Sequence, residues 1–166
     1  ALMQGHEVYL ANLNAETQFV IAGRDEAMVE VAQLALRAGA SKAQRLAVSV
    51  PSHCALLDKP AAELAKAFAD VTLTRPQRAY LSGSTARVLW DPQRIADDLA
   101  MNMARPVHWQ EAMVAADERD ARLAIEMPPG GVLTCLTRQA GWRGETIALE
   151  RSGLDVARHL AQRLSD

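Results

Sequence analysis

The sequence predicts an α/β protein, and two observations carry that prediction. In the second half of the 166 residues, helical and strand patterns alternate, which is typical of parallel strands joined by helices. In the first half, the order is strand, strand, helix, strand, helix. Two antiparallel strands, a crossover helix and a returning strand make up most of a ferredoxin-like subdomain. We therefore expect a partial subdomain of that kind, without its first strand and helix.

The first predicted elements are a hairpin and a helix. Strand patterns at residues 8–13 and 18–22 are separated by a short polar connection, so the two strands can pair as a hairpin. Gly23 then opens a helix with acidic residues in its first turn, which suits the positive end of the helix dipole. Gly39 is expected to end this helix in a left-handed conformation.

The stretch LAVSVPSHCALL, residues 46–57, is central to any functional interpretation. Residues 46–50 are apolar and partly β-branched, which predicts a buried strand, and Pro51 should end its pairing. His53 then lies just past the carboxyl end of a strand, where ligands bind in open α/β sheets and where an imidazole can accept a proton near neutral pH. The alternative is a loop histidine in a structural hydrogen bond, and spacing alone favours this alternative.

The remaining elements follow from caps, breakers and apolar spacing. Pro60 belongs in the first turn of a helix, and Asp91 with Pro92 forms a helix start. The full prediction is a helix at 57–70, a strand at 79–82, a turn at 83–85, helices at 91–103 and 107–116, a strand at 123–126, the breaker PPGG at 128–131 followed by a helix, a strand at 146–149 and a final amphipathic helix.

Composition limits the classes of function. Hydrophobic residues make up 49% and charged residues 23% of the chain, with a net charge of -2, so neither a disordered nor a nucleic-acid-binding protein is expected. No apolar stretch is long enough to span a bilayer and no signal peptide is evident, so a cytoplasmic location without a membrane partner is the default. Cys54 and Cys135 lack zinc-ligand spacing with any histidine, which predicts free thiols and no metal site.

Four local patterns carry a resemblance to a known family. They are NAETQFVIAG at residues 14–23, VPSHCALL at 50–57, RPVHW at 105–109 and EMPPGGVLTCL at 126–136. In this order and spacing they resemble the malonyl-CoA:acyl carrier protein transacylase family over nearly the whole chain. The resemblance implies an acyltransferase whose core is like that of the α/β-hydrolases.

The family's nucleophile is a serine in a sharp turn of G-H-S-x-G type, and the sequence has no such motif. His6 is followed by Glu7, and Ser84 lies in Gly-Ser-Thr. We therefore expect the carboxyl-terminal part of a longer enzyme, inactive by itself. Residues 1–56 would be the incomplete small subdomain, and residues 57–166 the carboxyl-terminal portion of the large acyltransferase subdomain.

The resemblance makes His53 the catalytic base that serves both half-reactions. In the family a backbone carbonyl holds the second ring nitrogen, and Asn102 here stands where glutamine is common. The change is harmless if the main-chain oxygen makes the contact, and it shortens the reach if the side chain contributes; the alternative is an ordinary polar residue at a helix end. Ser52 occupies a position that affects tolerance for substituents on the acyl α-carbon, although it can also simply stabilise a turn. Asn14 and Gln18 resemble a polar pair that borders the acyl and pantetheine channel. By themselves they are a loop asparagine and a residue at a strand edge.

Two stretches favour one branch of the family. SGSTARVLWDPQRIADDLAMNMARPVHW at residues 82–109 and IEMPPGGVLT at 125–134 resemble the transacylase (epsilon) subunit of malonate decarboxylase. The resemblance implies malonyl-CoA as the substrate, no bound cofactor, and as acceptor the prosthetic arm of an acyl carrier protein. The same resemblance is compatible with other malonate decarboxylase subunits as partners. The transacylase of fatty-acid synthesis is the alternative, because the reacting residues would be the same.

A hypothesis of a different class is a non-catalytic docking module for a carrier protein or for other subunits. Acidic carrier proteins prefer basic surfaces. The basic side chains available for such a surface are Arg24, Lys42, Arg45, Arg75 and Arg78, if they converge.

Overall fold

The computed structural model describes residues 2–165 and confirms the α/β class. Its strands form three separate two-stranded sheets: β1–β2 and β3–β4 are antiparallel, and β5–β6 is parallel. The elements in chain order are β1 Val8–Ala15, β2 Gln18–Gly23, α1 Asp25–Arg37, α2 Asp58–Ala69, β3 Tyr80–Leu81, β4 Val88–Leu89, α3 Pro92–Met101, α4 Trp109–Asp117, β5 Leu123–Glu126, α5 Val132–Gln139, β6 Glu145–Ala148 and α6 Leu149–Arg163.

The predicted hairpin is present, and a distant segment is attached to it. The backbone N–H of Val107 donates to the carbonyl oxygen of Ala11 at 2.8 Å, and the carbonyl oxygen of Val107 accepts from the N–H of Leu13 at 2.8 Å. The backbone of Val107 thus pairs with β1 as a short parallel bridge. For this reason α4 begins at Trp109 and not, as the sequence predicted, at residue 107.

The predicted strand at residues 46–50 is wrong. Within residues 2–165 no strand lies beside this segment, and Leu46, Val48 and Val50 are 52%, 61% and 50% exposed. A strand is stable only when its backbone groups have a ladder partner, whatever the β-propensity of its side chains. His53 therefore does not follow a strand, and other contacts must position it.

Cys54 provides one of those contacts. Its side chain is 2% exposed and forms a small core with Ala11 and Ala22 of the hairpin, against which Tyr9 and Val20 also pack. Both cysteines are free thiols, as predicted, with Cys54 buried and Cys135 exposed. The buried thiol fastens the segment around His53 to the β1–β2 sheet.

The helices that precede and follow residue 80 begin as predicted. A 3₁₀ turn at Ala55–Leu57 leads into α2, which has Pro60 in its first turn and packs against α3. Asp91 caps α3 by accepting a hydrogen bond from the backbone N–H of Arg94 at 2.8 Å, and Pro92 is the first helical residue. The helix ends at Met101, two residues earlier than predicted, and continues as a 3₁₀ turn at Asn102–Ala104.

The last third of the chain is a βαβ unit followed by a helix. Parallel strands β5 and β6 are joined through α5, as the alternating pattern predicted. Glu126, at the end of β5, accepts hydrogen bonds from the backbone N–H groups of Leu133 at 3.0 Å and Thr134 at 2.7 Å, so it caps the start of α5. The longest helix, α6, has 15 residues and is interrupted at Gly153, where φ is +77°. None of the helices described in residues 2–165 has the length and apolar character to cross a membrane.

Replacing the cap of α3 should destabilise the chain. In Asp91→Ala, the N–H of Arg94 loses its acceptor, and the free energy of unfolding should fall by about 1 kcal/mol. Urea unfolding followed by circular dichroism measures this change. An unchanged midpoint would show that the cap contributes nothing to stability.

Glu126 should make stability depend on pH in the acidic range. Burial acts to raise the pKa of Glu126, but hydrogen bonds from Thr134 and Leu133 outweigh it, so the pKa lies below the ordinary value of 4.5. The stabilisation by the ionised form is therefore complete above pH 4.5 and is lost as the pH falls through the lower folded-state pKa. The difference in unfolding free energy between the wild type and Glu126→Gln should shrink as the pH falls through this range. A difference independent of pH would contradict this assignment.

Candidate active site

The ring of His53 is held by a backbone carbonyl. Its Nδ1 atom lies 2.9 Å from the carbonyl oxygen of Asn102. A carbonyl oxygen only accepts hydrogen bonds, so Nδ1 carries the hydrogen and the neutral ring has its lone pair on Nε2. Within residues 2–165 no hydrogen bond to Nε2 is formed. The partly buried imidazole therefore presents a proton acceptor whose orientation is fixed from the opposite side of the ring.

The backbone of His53 is held by the same turn. Its φ is +63°, in the left-handed region, and its N–H donates to the carbonyl oxygen of Met103 at 2.7 Å. For a residue other than glycine, this left-handed conformation costs roughly 1 kcal/mol relative to the right-handed one. Such strain is retained where neighbouring contacts fix the backbone, and it is concentrated at functional sites. Two hydrogen bonds from one 3₁₀ turn thus set both the ring and the backbone of His53.

The side chain of Asn102 is not the group that contacts His53. A Cβ atom placed on Gly83 would lie 4.0 Å from Nδ2 of Asn102, so the amide sits beside the turn that follows β3. The main-chain oxygen makes the contact with the imidazole. The shorter reach of asparagine relative to glutamine therefore does not affect this hydrogen bond.

A buried polar cluster that the sequence patterns did not predict lies next to this turn. The Asp98 carboxylate, 2% exposed, accepts hydrogen bonds from the hydroxyl groups of Tyr80 at 2.7 Å, Ser82 at 2.8 Å and Ser84. Burial and the hydrogen bond to Asp98 raise the pKa of Tyr80 well above its ordinary value of 10.0. We call these four side chains the Asp98 cluster.

A signal for this cluster was present in the sequence. Asp98 follows Ile95 by three residues, on the same side of α3, and the hydroxyl-rich segment YLSGS lies just upstream. The next residue, Leu99, is 42% exposed, so the inward side of α3 includes Asp98 and not Leu99. An acidic residue in an inward position indicates a buried hydrogen-bond network whenever enough donors are available.

The other predicted site residues are distributed over the hairpin and its surroundings. Ser52 precedes His53 and is partly buried, and its N–H donates to the carbonyl oxygen of Val50 at 2.8 Å. Asn14 is 6% exposed within β1, whereas Gln18 is exposed at the start of β2. In the described part of the chain, none of these three side chains is hydrogen-bonded to His53 or Asn102. Of the predicted set, His53 and Asn102 are the pair that the structure of residues 2–165 joins by a hydrogen bond.

The basic residues proposed for docking are partly neutralised. Arg24 forms an ion pair with Glu7 at 2.6 Å, and Arg45 forms one with Asp25 at 3.0 Å. The guanidinium of Arg75 lies over the ring of Trp90, 5.6 Å from its centroid. Three of the five candidate cations therefore already have a partner within the chain.

Comparison with known proteins supports the resemblance. No family model matches the chain. The malonyl CoA-acyl carrier protein transacylase of Salmonella typhimurium is 34% identical over 136 residues, which is 82% of this chain and 44% of that protein. The chain spans about half the length of the curated relatives it matches.

Solved structures give the same result. An acyl carrier protein S-malonyltransferase from Vibrio cholerae is 37% identical, with a TM-score of 0.81 over 89% of this chain and 48% of that one. The malonyl-transacylase structure determined in complex with a type II PKS acyl-carrier protein is 30% identical, with a TM-score of 0.83 over 99% of this chain and 52% of that one. The resemblance is therefore confirmed: the chain is a relative of the malonyl-CoA:acyl carrier protein transacylases and corresponds to about half of such a protein.

Proposed function

We propose that this chain contributes the catalytic base of a malonyl-CoA:acyl carrier protein transacylase. The observation that carries the proposal is the hydrogen bond from Nδ1 of His53 to the carbonyl oxygen of Asn102, which leaves Nε2 free to accept a proton. The nucleophilic serine would come from a segment outside these 166 residues, since the G-H-S-x-G motif is not among them. The comparisons support malonyl transfer as the reaction, because malonyl-transferring proteins are similar to the chain in sequence and in fold.

The proposed reaction uses Nε2 of His53 twice in each half-reaction. The serine oxygen attacks the malonyl thioester while Nε2 takes the hydroxyl proton, and the proton then passes to the departing CoA sulfur. In the second half-reaction, Nε2 takes the proton of the carrier's thiol as the sulfur attacks the acyl-serine, and it returns that proton to the serine oxygen. The carbonyl oxygen of Asn102 stabilises the imidazolium formed in each step and keeps the ring from rotating.

We propose the other expected residues as contacts of the substrate. Ser52 precedes the base directly and would border the acyl group. Asn14 and Gln18 lie on the hairpin that packs against Cys54, so they would border the path of the pantetheine arm. The acceptor would be an acyl carrier protein, which is supported by the likeness to a transacylase solved in complex with such a carrier. No bound cofactor is needed for these steps.

The finer proposal is that the acceptor is the dedicated carrier protein of malonate decarboxylase, with its modified dephospho-CoA arm. It rests on the resemblance of residues 82–109 and 125–134 to the corresponding subunit. None of the relatives named above is a malonate decarboxylase subunit, so the fatty-acid-type carrier remains the competing acceptor. Transfer rates from malonyl-CoA to the two purified carrier proteins distinguish the acceptors.

Removal of the base should abolish most of the transfer. In the full-length gene product, His53→Ala should lower kcat/KM for malonyl transfer to a holo carrier protein by about 100-fold or more, because the serine and the thiol lose their proton acceptor. His159→Ala, on the exposed side of α6, is the matched control and should leave the rate unchanged. A folded His53→Ala protein with near-normal transfer would rule out the base assignment.

The carbonyl of Asn102, and not its amide, should matter for activity. Asn102→Ala keeps the main-chain oxygen, so the rate of malonyl transfer should fall by less than about tenfold. Steady-state kinetics of the full-length product measures the effect. A loss as large as that of His53→Ala would show that the side chain takes part.

The 166 residues alone should not become acylated. After incubation with malonyl-CoA, intact mass spectrometry should detect no malonyl adduct, because no serine in the chain lies in the nucleophile motif. A stable adduct mapped to one serine would overturn the view that the nucleophile lies outside these residues.

A further inference from the structure

The 3₁₀ turn that holds His53 lies between two connections to the same short segment. Before the turn, Asp98 of α3 binds the hydroxyl groups of the 80–84 segment. After the turn, the backbone N–H of His108 donates to the carbonyl oxygen of Gly83 at 2.7 Å. The segment that contains β3 and its turn is therefore hydrogen-bonded to the chain on both sides of the 3₁₀ turn, at Asp98 before it and at His108 after it.

Asp98 is placed to control the first of these connections. It precedes Asn102 by four residues, which corresponds to about one helical turn along the same side of α3. The carboxylate is 2% exposed and Ser82 is 0% exposed, so water cannot replace the hydrogen bonds between them. A carboxylate group accepts at several lone pairs, and three hydroxyl groups donate to it here.

The cluster also orders the segment to which it binds. Oγ of Ser82 accepts a hydrogen bond from the backbone N–H of Thr85 at 3.1 Å, while it donates to Asp98. The backbone N–H of Ser82 bonds to the carbonyl oxygen of Arg87, which closes the turn between β3 and β4. The turn that supports Gly83 is thus built on the hydroxyl that binds Asp98.

We infer that Asp98 is a positioning residue, which holds the end of α3 against the 80–85 segment so that the carbonyl of Asn102 keeps His53 in its Nδ1–H tautomer. The inference rests on the proposed function only for its relevance to transfer. The hydrogen bonds of Asp98 in residues 2–165 go to Tyr80, Ser82 and Ser84 and not to the imidazole, so its effect is transmitted through the end of α3 and the 3₁₀ turn.

The tautomer of His53 tests the inference without any transfer assay. ¹⁵N NMR of the ring nitrogens, at about pH 8–9 where histidine is neutral, reports which nitrogen carries the hydrogen. In Asp98→Ala, the ratio of the Nε2–H form to the Nδ1–H form should rise about threefold or more, the factor that corresponds to the loss of one net hydrogen bond. Asp98→Asn keeps the side-chain volume but has one carbonyl acceptor only, so it should shift the ratio in the same direction by less.

Asp91→Ala provides the matched control, because it weakens the opposite end of the same helix by removing a hydrogen bond to the backbone N–H of Arg94, which is outside the Asp98 cluster. It should leave the tautomer ratio at the wild-type value. A folded Asp98→Ala protein with the wild-type ratio would overturn the inference; if that variant does not fold, a folded Asp98→Asn protein with the wild-type ratio does so. A ratio that shifts equally in Asp91→Ala would also overturn it, since the effect would then be general destabilisation.

The two proposals can fail separately. If His53→Ala retains transfer while Asp98→Ala changes the tautomer, the proposed function fails and the positioning role stands. If His53→Ala abolishes transfer and neither Asp98 variant changes the tautomer, the positioning role fails and the proposed function stands. In the full-length product, a positioning role predicts a loss in kcat for Asp98→Asn with little change in the KM for malonyl-CoA.

Discussion

The pair of hydrogen bonds between His53 and the 3₁₀ turn at Asn102–Ala104 is the constraint on which the site depends. One bond fixes the ring through Nδ1, and the other fixes a left-handed backbone through the N–H group. Neither bond uses a side chain of the turn, so the geometry of the backbone at the end of α3 determines the chemistry available at His53. A carboxylate partner would add a full negative charge beside the ring, whereas the carbonyl holds the ring with a hydrogen bond to an uncharged dipole.

The surrounding structure serves to keep that turn in place. The hairpin β1–β2 contacts the chain next to both halves of the site. Cys54, which follows His53, packs against the hairpin, and the backbone of Val107, which follows the 3₁₀ turn, pairs with β1. Helix α2 packs against both α3 and the turn itself. The Asp98 cluster adds a buried polar connection that resists displacement, because a displaced hydroxyl would leave an unpaired group away from water.

Local signals predicted much of the fold. The hairpin, the capping of α3 by Asp91 and the left-handed Gly39 each depend on residues close together in the chain, and each is present. The strand predicted at residues 46–50 failed because a strand requires a partner that apolar composition does not reveal. The start of α4 was misplaced for a related reason, since Val107 pairs with a strand almost a hundred residues earlier.

The site, like the fold, has parts that the sequence predicted and parts that it did not. His53 and the carbonyl of Asn102 were expected from the resemblance to a family, and they lie 2.9 Å apart, although spacing alone favoured a structural histidine. The Asp98 cluster was missed because its hydroxyl donors lie 14 to 18 residues upstream, in another element. The most direct test of the central claim is a neutron crystal structure that locates the hydrogen on the ring of His53. The account predicts density for it on Nδ1, directed at the carbonyl oxygen of Asn102; a hydrogen on Nε2 with Nδ1 bare would contradict it.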